Sequence, residues 1–280
     1  MRALIYRRGG LGDTLLLFPT FELLKRKGYE VVAVGNTDYL KIAHEVGWVD
    51  AVLSETIDID ADLRISIGVG GNVPPFPKNR EWIVKHYLRS VGLEGDFSRV
   101  LPLSPCENSP FARKVVFHPS SGSWKKNPDI GLFLELEDFV RSRGFEVAYL
   151  CGEADGWVKE HIRDAVESLD PLWIGKALTS AILYVGLDSG ISHLAAYVGV
   201  PTVVIYGPTD PLVWKPIGRE VYQVSLGLDC APCFPEVCGE RVCLERSSLL
   251  KRLLPLIDEL LIKINEDNSL QTRRSKTSYL

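Results

Sequence analysis

The chain has 280 residues, 46% of them hydrophobic, and a net charge of −4. That size and apolar content bury a substantial core in one large or two ordinary domains. The acidic balance lacks the basic field that draws nucleic acid, which is excluded as a partner. No apolar run approaches the ~20 residues of a membrane span, and MRALIYRRGG has no signal-peptide core, so the expected location is the cytoplasm.

Residues 3–6 form a short, branched apolar run. The turn Arg7-Arg8-Gly9-Gly10-Leu11-Gly12-Asp13 and an apolar helical pattern through residue 24 follow it, which reads as strand, glycine turn and helix. Gly12 and its fellow glycines let the backbone approach a ligand where a Cβ would stand in the way. The turn is not a dinucleotide fingerprint, because Leu15 occupies the position of the third glycine. Asp13 falls at or near the first turn of the helix, where it is either a ligand-facing carboxylate or a cap and dipole partner. Strands at 29–34, 51–53 and 63–69 and a helix at 39–46 continue an alternation that builds a parallel sheet with crossover helices. After the Gly- and Pro-rich loop at 68–77 comes a basic, aromatic segment with Trp82, Tyr87, Lys78, Arg80, Lys85 and Arg89. It reads as a solvated helix face, or else as a contact to an anionic acceptor or a membrane surface.

LPLSPCENSP at 101–110 is the best linker in the chain. A second alternation begins beyond it, with strands expected at 114–118, 146–151, 173–174, 181–187 and 202–206 and helices at 129–143, 155–169 and 192–198. The expected division is a Rossmann-like domain over 1–108, a second over 109–250, a helix over 251–264 and a flexible tail over 265–280.

Chemistry concentrates at the carboxyl ends of the second set of strands, where open α/β sheets bind ligands. Asp188, Ser189 and Gly190 end one strand and open a helix; Gly207-Pro208-Thr209-Asp210-Pro211 ends the next. HPSSGSWKKNP at 118–128 offers Ser120, Ser121 and Gly122 with free amides and then Lys125, a composition that suits a diphosphate. A carboxylate after a strand, Glu153 or Asp155, can accept two hydrogen bonds from a ribose diol. Cys230, Cys233, Cys238 and Cys243 are spaced C-x2-C-x4-C-x4-C. They are read as reduced packing cysteines or an oxidation-sensitive cluster, with a structural zinc site as the alternative.

Together, GLGDTLLLFP, HPSSGSWKKNP, CGEAD, DSGISHLAAYVGVP and GPTDP, in this order, resemble glycosyltransferase family 9, the ADP-heptose lipopolysaccharide heptosyltransferases. The resemblance spans residue 1 to about 260. It implies a GT-B fold of two facing Rossmann-like domains with parallel sheets, the sugar nucleotide mainly on the second and the acceptor on the first. It implies an inverting, metal-independent transfer of a heptose from ADP-heptose to a saccharide or glycolipid acceptor, a lipopolysaccharide core, with no cofactor. Carried over by position, Asp13 is then the general base and Lys125 the diphosphate lysine. Ser189, Gly190, Gly207, Thr209 and Asp188 then hold phosphates and sugar, and His193 contacts phosphate or packs in the core. Peripheral contact with the cytoplasmic face of the inner membrane follows from such an acceptor.

The chain departs from the family pattern at Asn127, where a Trp is usual, and over 175–185, which reads too short for the helix before the Asp188 strand. The alternatives are a non-catalytic sugar-nucleotide or glycan-binding module and a nucleotide-dependent Rossmann enzyme.

Overall fold

A computed structural model describes residues 1–55, 59–152, 155–236 and 238–277, with backbone alone over 268–277. The first half builds a parallel sheet from β1 (Arg2–Arg7), β2 (Glu30–Gly35), β3 (Ala51–Leu53) and β4 (Leu63–Ile67) in the order β3-β2-β1-β4. Between β1 and β2 run α1 (Leu11–Leu15) and α2 (Phe18–Arg26); α3 (Thr37–Glu45) joins β2 to β3, and α4 (Ile83–Ser90) follows β4. The single helix expected through residue 24 is broken at Leu16-Leu17. Pro19 explains the break: it has no N–H to donate four residues back and its ring crowds that carbonyl, so it sits in the first turn of a new helix instead.

The second half holds β5 (Val115–His118), α5 (Gly131–Ser142), β6 (Val147–Cys151), α6 (Gly156–Lys159), β7 (Val166–Glu167), α7 (Pro171–Leu178), β8 (Leu183–Leu187), α8 (Gly190–Tyr197), β9 (Thr202–Tyr206) and β10 (Val221–Ser225). Its strands pair in parallel in the order β10-β9-β8-β5-β6-β7. The last helix, α9 (Arg246–Thr277), packs on α5 and β10 and runs on through much of the segment expected to be a flexible tail.

The expected helix over 155–169 is only the single turn of α6. Its polar continuation, Lys159-Glu160-His161, offers little apolar surface to bury, and Val166 and Glu167 instead extend the sheet beside Leu150 and Cys151. Residues 173–174, expected as a strand, lie inside α7. Asp170 caps that helix, accepting from the Leu172 amide at 3.0 Å, and Pro171 occupies its first position. The helix that 175–185 was too short to contain therefore exists, displaced toward the N-terminus. β10 is an edge strand that the sequence reading omitted.

The two halves share one core. Phe18 of α2 and Trp48 beyond α3 meet Tyr197 of α8, with ring centroids 6.1 to 6.4 Å apart. The Leu101 amide in the linker donates to Tyr197 O at 2.6 Å. Arg80, expected on a solvated face or an acceptor surface, instead spans the halves: its guanidinium donates twice to Asp210, at 2.5 and 3.0 Å. Trp82 Nε1 likewise donates to Lys215 O at 2.7 Å. Among the described residues no helix is long and apolar enough to cross a membrane.

Candidate active site

Each sheet reverses its winding at one place. In the second sheet the chain leaves β5 toward β6 and β7, but leaves β8 toward β9 and β10, so the loops after β5 and β8 diverge and open a crevice. In the first sheet β1 lies between β2 and β4, and its following loop carries Gly9 to Asp13. The two crevices face one another and enclose a cleft of about 560 Å³ lined from both halves.

Close backbone approach makes this possible. A Cβ on Gly12 would stand 2.9 Å from His193 Cδ2, and one on Gly190 would stand 2.7 Å from Leu11 Cβ and 3.0 Å from the Gly12 amide. The starts of α1 and α8 can therefore touch only because both positions are glycine.

Of the residues singled out from the sequence, Gly12, Asp13, Ser121, Gly122, Asp155, Asp188, Ser189, Gly190, His193 and Thr209 line the cleft. Asp13 stands at the cleft wall and in the first turn of α1. Its Oδ2 accepts from the Gly10 amide at 3.1 Å and so caps α1, while Oδ1 accepts from Arg7 Nη2 at 2.6 Å. Ser120 is buried behind the wall. Gly207 packs against Leu244, where a Cβ would come within 2.6 Å of Cδ2. Glu153 lies outside the described residues.

The two lysines of the β5 loop part company. Lys125 leaves the cleft, its ammonium donating to Pro235 O at 2.5 Å. Lys126 enters it, donating to Asp188 O at 2.6 Å and lying 3.3 Å from Asp188 Oδ2, with the Phe234 ring centroid 5.5 Å away. Asn127, in place of the usual Trp, holds this loop: its Oδ1 accepts from the amide and the hydroxyl of Ser121, both at 2.9 Å.

Asp188 is deeply buried. Burial pushes its carboxyl up, but His193 and Lys126 outweigh that and hold it below the ordinary carboxylate range. His193 Nε2 stands 3.9 Å from Asp188 Oδ1, beyond hydrogen-bond length, so its effect is electrostatic. His193 Nδ1 and Thr209 Oγ1 are buried without a hydrogen-bond partner among the described residues. Asp155 is also held low: burial raises it, and His118 together with the Gly152 amide overcomes the rise.

Sequence reasoning missed His118 and Lys126 as cleft residues, and with them the aromatic rim of Phe76, Trp214 and Phe234. His118 was legible as the last residue of a strand. The rim was not, because Phe76 and Trp214 come from opposite halves and meet edge to face with centroids 6.0 Å apart.

The four clustered cysteines line a separate cavity of about 20 Å³ with Trp124, Lys125 and Arg241. Among the described residues no three ligating side chains are gathered so as to hold a metal ion. Burial and the neighbouring thiols push the Cys243 thiol up, toward the protonated form that suits packing. Arg241 from this loop donates to Trp124 O and Asn127 O, each at 3.0 Å, and so braces the lysine loop from behind.

Comparison with known proteins agrees with this architecture. Lipopolysaccharide heptosyltransferase 1 of Pseudomonas aeruginosa is 41% identical over 153 residues, 51% of this chain and 42% of that protein. The match thus spans less than half the length of this curated relative. A family 9 glycosyltransferase from Veillonella parvula superposes with a TM-score of 0.73 at 14% identity, covering 94% of this chain and 97% of that one. E. coli heptosyltransferase WaaC, solved with ADP, superposes with a TM-score of 0.64 at 16% identity, covering 93% of this chain and 100% of that one. These likenesses are of fold, and the fold is GT-B, as expected. Residues 93–243 match the model of glycosyltransferase family 9 (heptosyltransferase), more than half of the chain, and the chain belongs to that family.

Proposed function

We propose that the chain is a glycosyltransferase that moves a heptose from ADP-heptose to a saccharide acceptor of the lipopolysaccharide core, working at the cytoplasmic face of the membrane that holds the acceptor. Family membership and the relatives' names support the donor and acceptor classes. One observation carries the catalytic reading: Asp13 of the first half faces, across a single cleft, Lys126 and the start of α8 in the second.

The donor's diphosphate lies against the α8 amides and Lys126, where helix N–H groups and an ammonium suit an anion. Asp13 accepts the acceptor hydroxyl's proton as its oxygen attacks the anomeric carbon, a step worth roughly 10²–10⁴-fold when a positioned base supplies it. The bond from that carbon to the diphosphate breaks on the opposite face, so the anomer inverts. Lys126 and the amides meet the charge that develops on the leaving phosphate, and no metal ion is assigned to this step. Arg7 fixes the Asp13 carboxylate through Oδ1.

The test is transfer from ADP-heptose to a core saccharide by the wild type and Asp13→Asn. The expected outcome is an inverted product and a kcat lowered at least 100-fold in the variant, with ADP affinity within about threefold. A retained anomeric configuration, or near-normal turnover in the variant, refutes the assignment. Saturable ADP binding without transfer to any saccharide leaves a binding module instead.

A further inference from the structure

Three neighbouring strand ends of the second sheet meet at His118. The residue closes β5; Asp155 follows β6 on one side, and Ser189 follows β8 on the other. His118 Nε2 lies 2.9 Å from Asp155 Oδ2, and its Nδ1 lies 3.5 Å from Ser189 Oγ. All three side chains are buried, yet all three line the cleft. Asp155 Oδ2 also accepts the Gly152 amide at 2.5 Å, so the carboxylate is anchored. An ionised carboxylate only accepts, which places a hydrogen on Nε2 and leaves Nδ1 bare in the neutral ring. Ser189 Oγ is the hydroxyl within reach of that bare Nδ1, with Ser192 Oγ 3.3 Å away as its other partner, and its oxygen caps α8 by accepting from the Ser192 amide at 3.4 Å.

Charge decides what this relay does when an anion arrives. With His118 neutral, the floor of the cleft carries the Asp155 and Asp188 carboxylates against the Lys126 ammonium, which Asp188 already engages. A diphosphate adds further negative charge at the α8 amides, directly beside Ser189. An imidazolium at His118 would be held by Asp155 on one nitrogen and would turn the other into a donor toward Ser189 and the phosphate. We propose that diphosphate binding is proton-linked in this protein: a nucleoside diphosphate is taken up together with a proton, which settles on His118. This rests on the donor-site reading above and adds to it a positioning residue and a pH dependence.

The other titratable groups facing the relay do not supply that proton site. Burial pushes Cys151, at the end of β6, up to about 11, and pushes Tyr184 of β8 up as well, so both stay neutral. Asp155 and Asp188 are held below the ordinary carboxylate range and stay ionised. Lys126 is engaged by Asp188. Asp13, across the cleft, is engaged by Arg7. His193, on α8, is the remaining competitor, with Nε2 turned toward Asp188 and Nδ1 without a partner among the described residues.

The sign follows from linkage. A bound diphosphate favours the charged ring at His118, so uptake of a proton strengthens binding and the Kd for the diphosphate weakens as pH rises.

The experiment is calorimetric titration of ADP, and of ADP-heptose, whose doubly esterified diphosphate carries no group that titrates near neutrality, into the full chain at one pH near 7.5, in buffers of differing ionisation enthalpy; the ADP-heptose heats count the protons taken up by the protein. The expected result is a binding heat that changes with buffer in the sense of proton uptake. That dependence should vanish in His118→Gln, diminish in Asp155→Asn and persist in His193→Gln. Each isotherm itself reports that the variant is folded and competent to bind. Wild-type heats that do not depend on buffer overturn the relay while leaving the donor reading intact. Uptake that survives His118→Gln and disappears in His193→Gln overturns it in favour of His193. Absence of saturable ADP binding in the wild type refutes the donor reading, and the relay with it.

Discussion

Two consecutive lysines serve two different cavities because the segment Trp124–Lys126 is a 3-10 turn, in which neighbours point about a third of a turn apart. Lys126 →Ala removes an ammonium that faces the diphosphate position and also leaves the buried Asp188 carboxylate poorly compensated. The expected loss in ADP affinity is about 1.5–3 kcal/mol, the range for a charge-assisted hydrogen bond, or tenfold or more in Kd. Lys125→Ala, acting on an exposed contact to Pro235 O, should change that Kd by less than about twofold. Calorimetry on the two variants decides; the reverse ranking returns the diphosphate to Lys125. Asp188 makes a separate prediction for stability. Its folded value lies below the ordinary 3.8, so its contribution is complete above about pH 4 and is lost as pH falls from there through the lower folded value. Asp188→Asn should flatten the acid limb of a urea-midpoint against pH curve below about pH 4, and an unchanged limb would remove Asp188 as its cause.

At the scale of elements, the contact between α1 and α8 sets the width of the cleft. Gly190→Ala forces a methyl toward Leu11 Cβ and the Gly12 amide, and neither backbone can yield without moving its half of the molecule. Overpacking of this kind costs about 1–3 kcal/mol. The midpoint in urea should fall accordingly and ADP binding should weaken with it; a variant as stable and as tight-binding as wild type would show that the halves part easily there. The elements also show what a sequence can disclose. The glycine turn, the strands ending at His118 and Leu187, and the Asp188 to Gly190 turn were legible because branched apolar runs ending in small residues have few other conformations. α7 carried a start signal in Asp170-Pro171, but the apolar pair Trp173-Ile174 masked it, since a short apolar run has no period of its own. β10 alternates Val221, Tyr222, Gln223 and Val224 on a half-buried edge, too weak a pattern to separate from loop. Which lysine enters the cleft and which residues form its rim depend on turn geometry and on contacts between halves, and neither leaves a periodic mark in the chain.

For the whole molecule, the halves expected as two domains are welded by a continuous apolar seam. Leu15 to Leu24 on one side are packed with Ala177, Leu178, Leu194 and Tyr197 on the other in a single buried cluster. Arg80 with Asp210, and Lys176 with Glu45, fasten its edges. A seam of this kind makes unfolding cooperative, because neither half keeps its inner face covered without the other. Trp48 and Trp82 in the first half and Trp124, Trp157, Trp173 and Trp214 in the second should therefore report one urea transition, coincident with far-UV dichroism. Tyr197 probes the seam atom by atom. Its ring packs against Phe18 and Trp48, while its hydroxyl is buried with no hydrogen-bond partner among the described residues. Burial pushes that phenol far above its ordinary range, so it stays neutral and contributes no charge. Removing an unsatisfied buried hydroxyl relieves a desolvation cost and leaves the ring in place. Tyr197→Phe should thus match or exceed wild-type stability by up to about 1 kcal/mol, whereas Tyr197→Ala should lose about 3–5 kcal/mol, as for other large aromatic truncations. Both are read from urea midpoints at constant m-value; a Tyr197→Phe variant weakened by more than about 1 kcal/mol would mean that the hydroxyl has a partner in solution, whereas an Ala variant that splits the transition in two would show that the aromatic contact alone couples the halves.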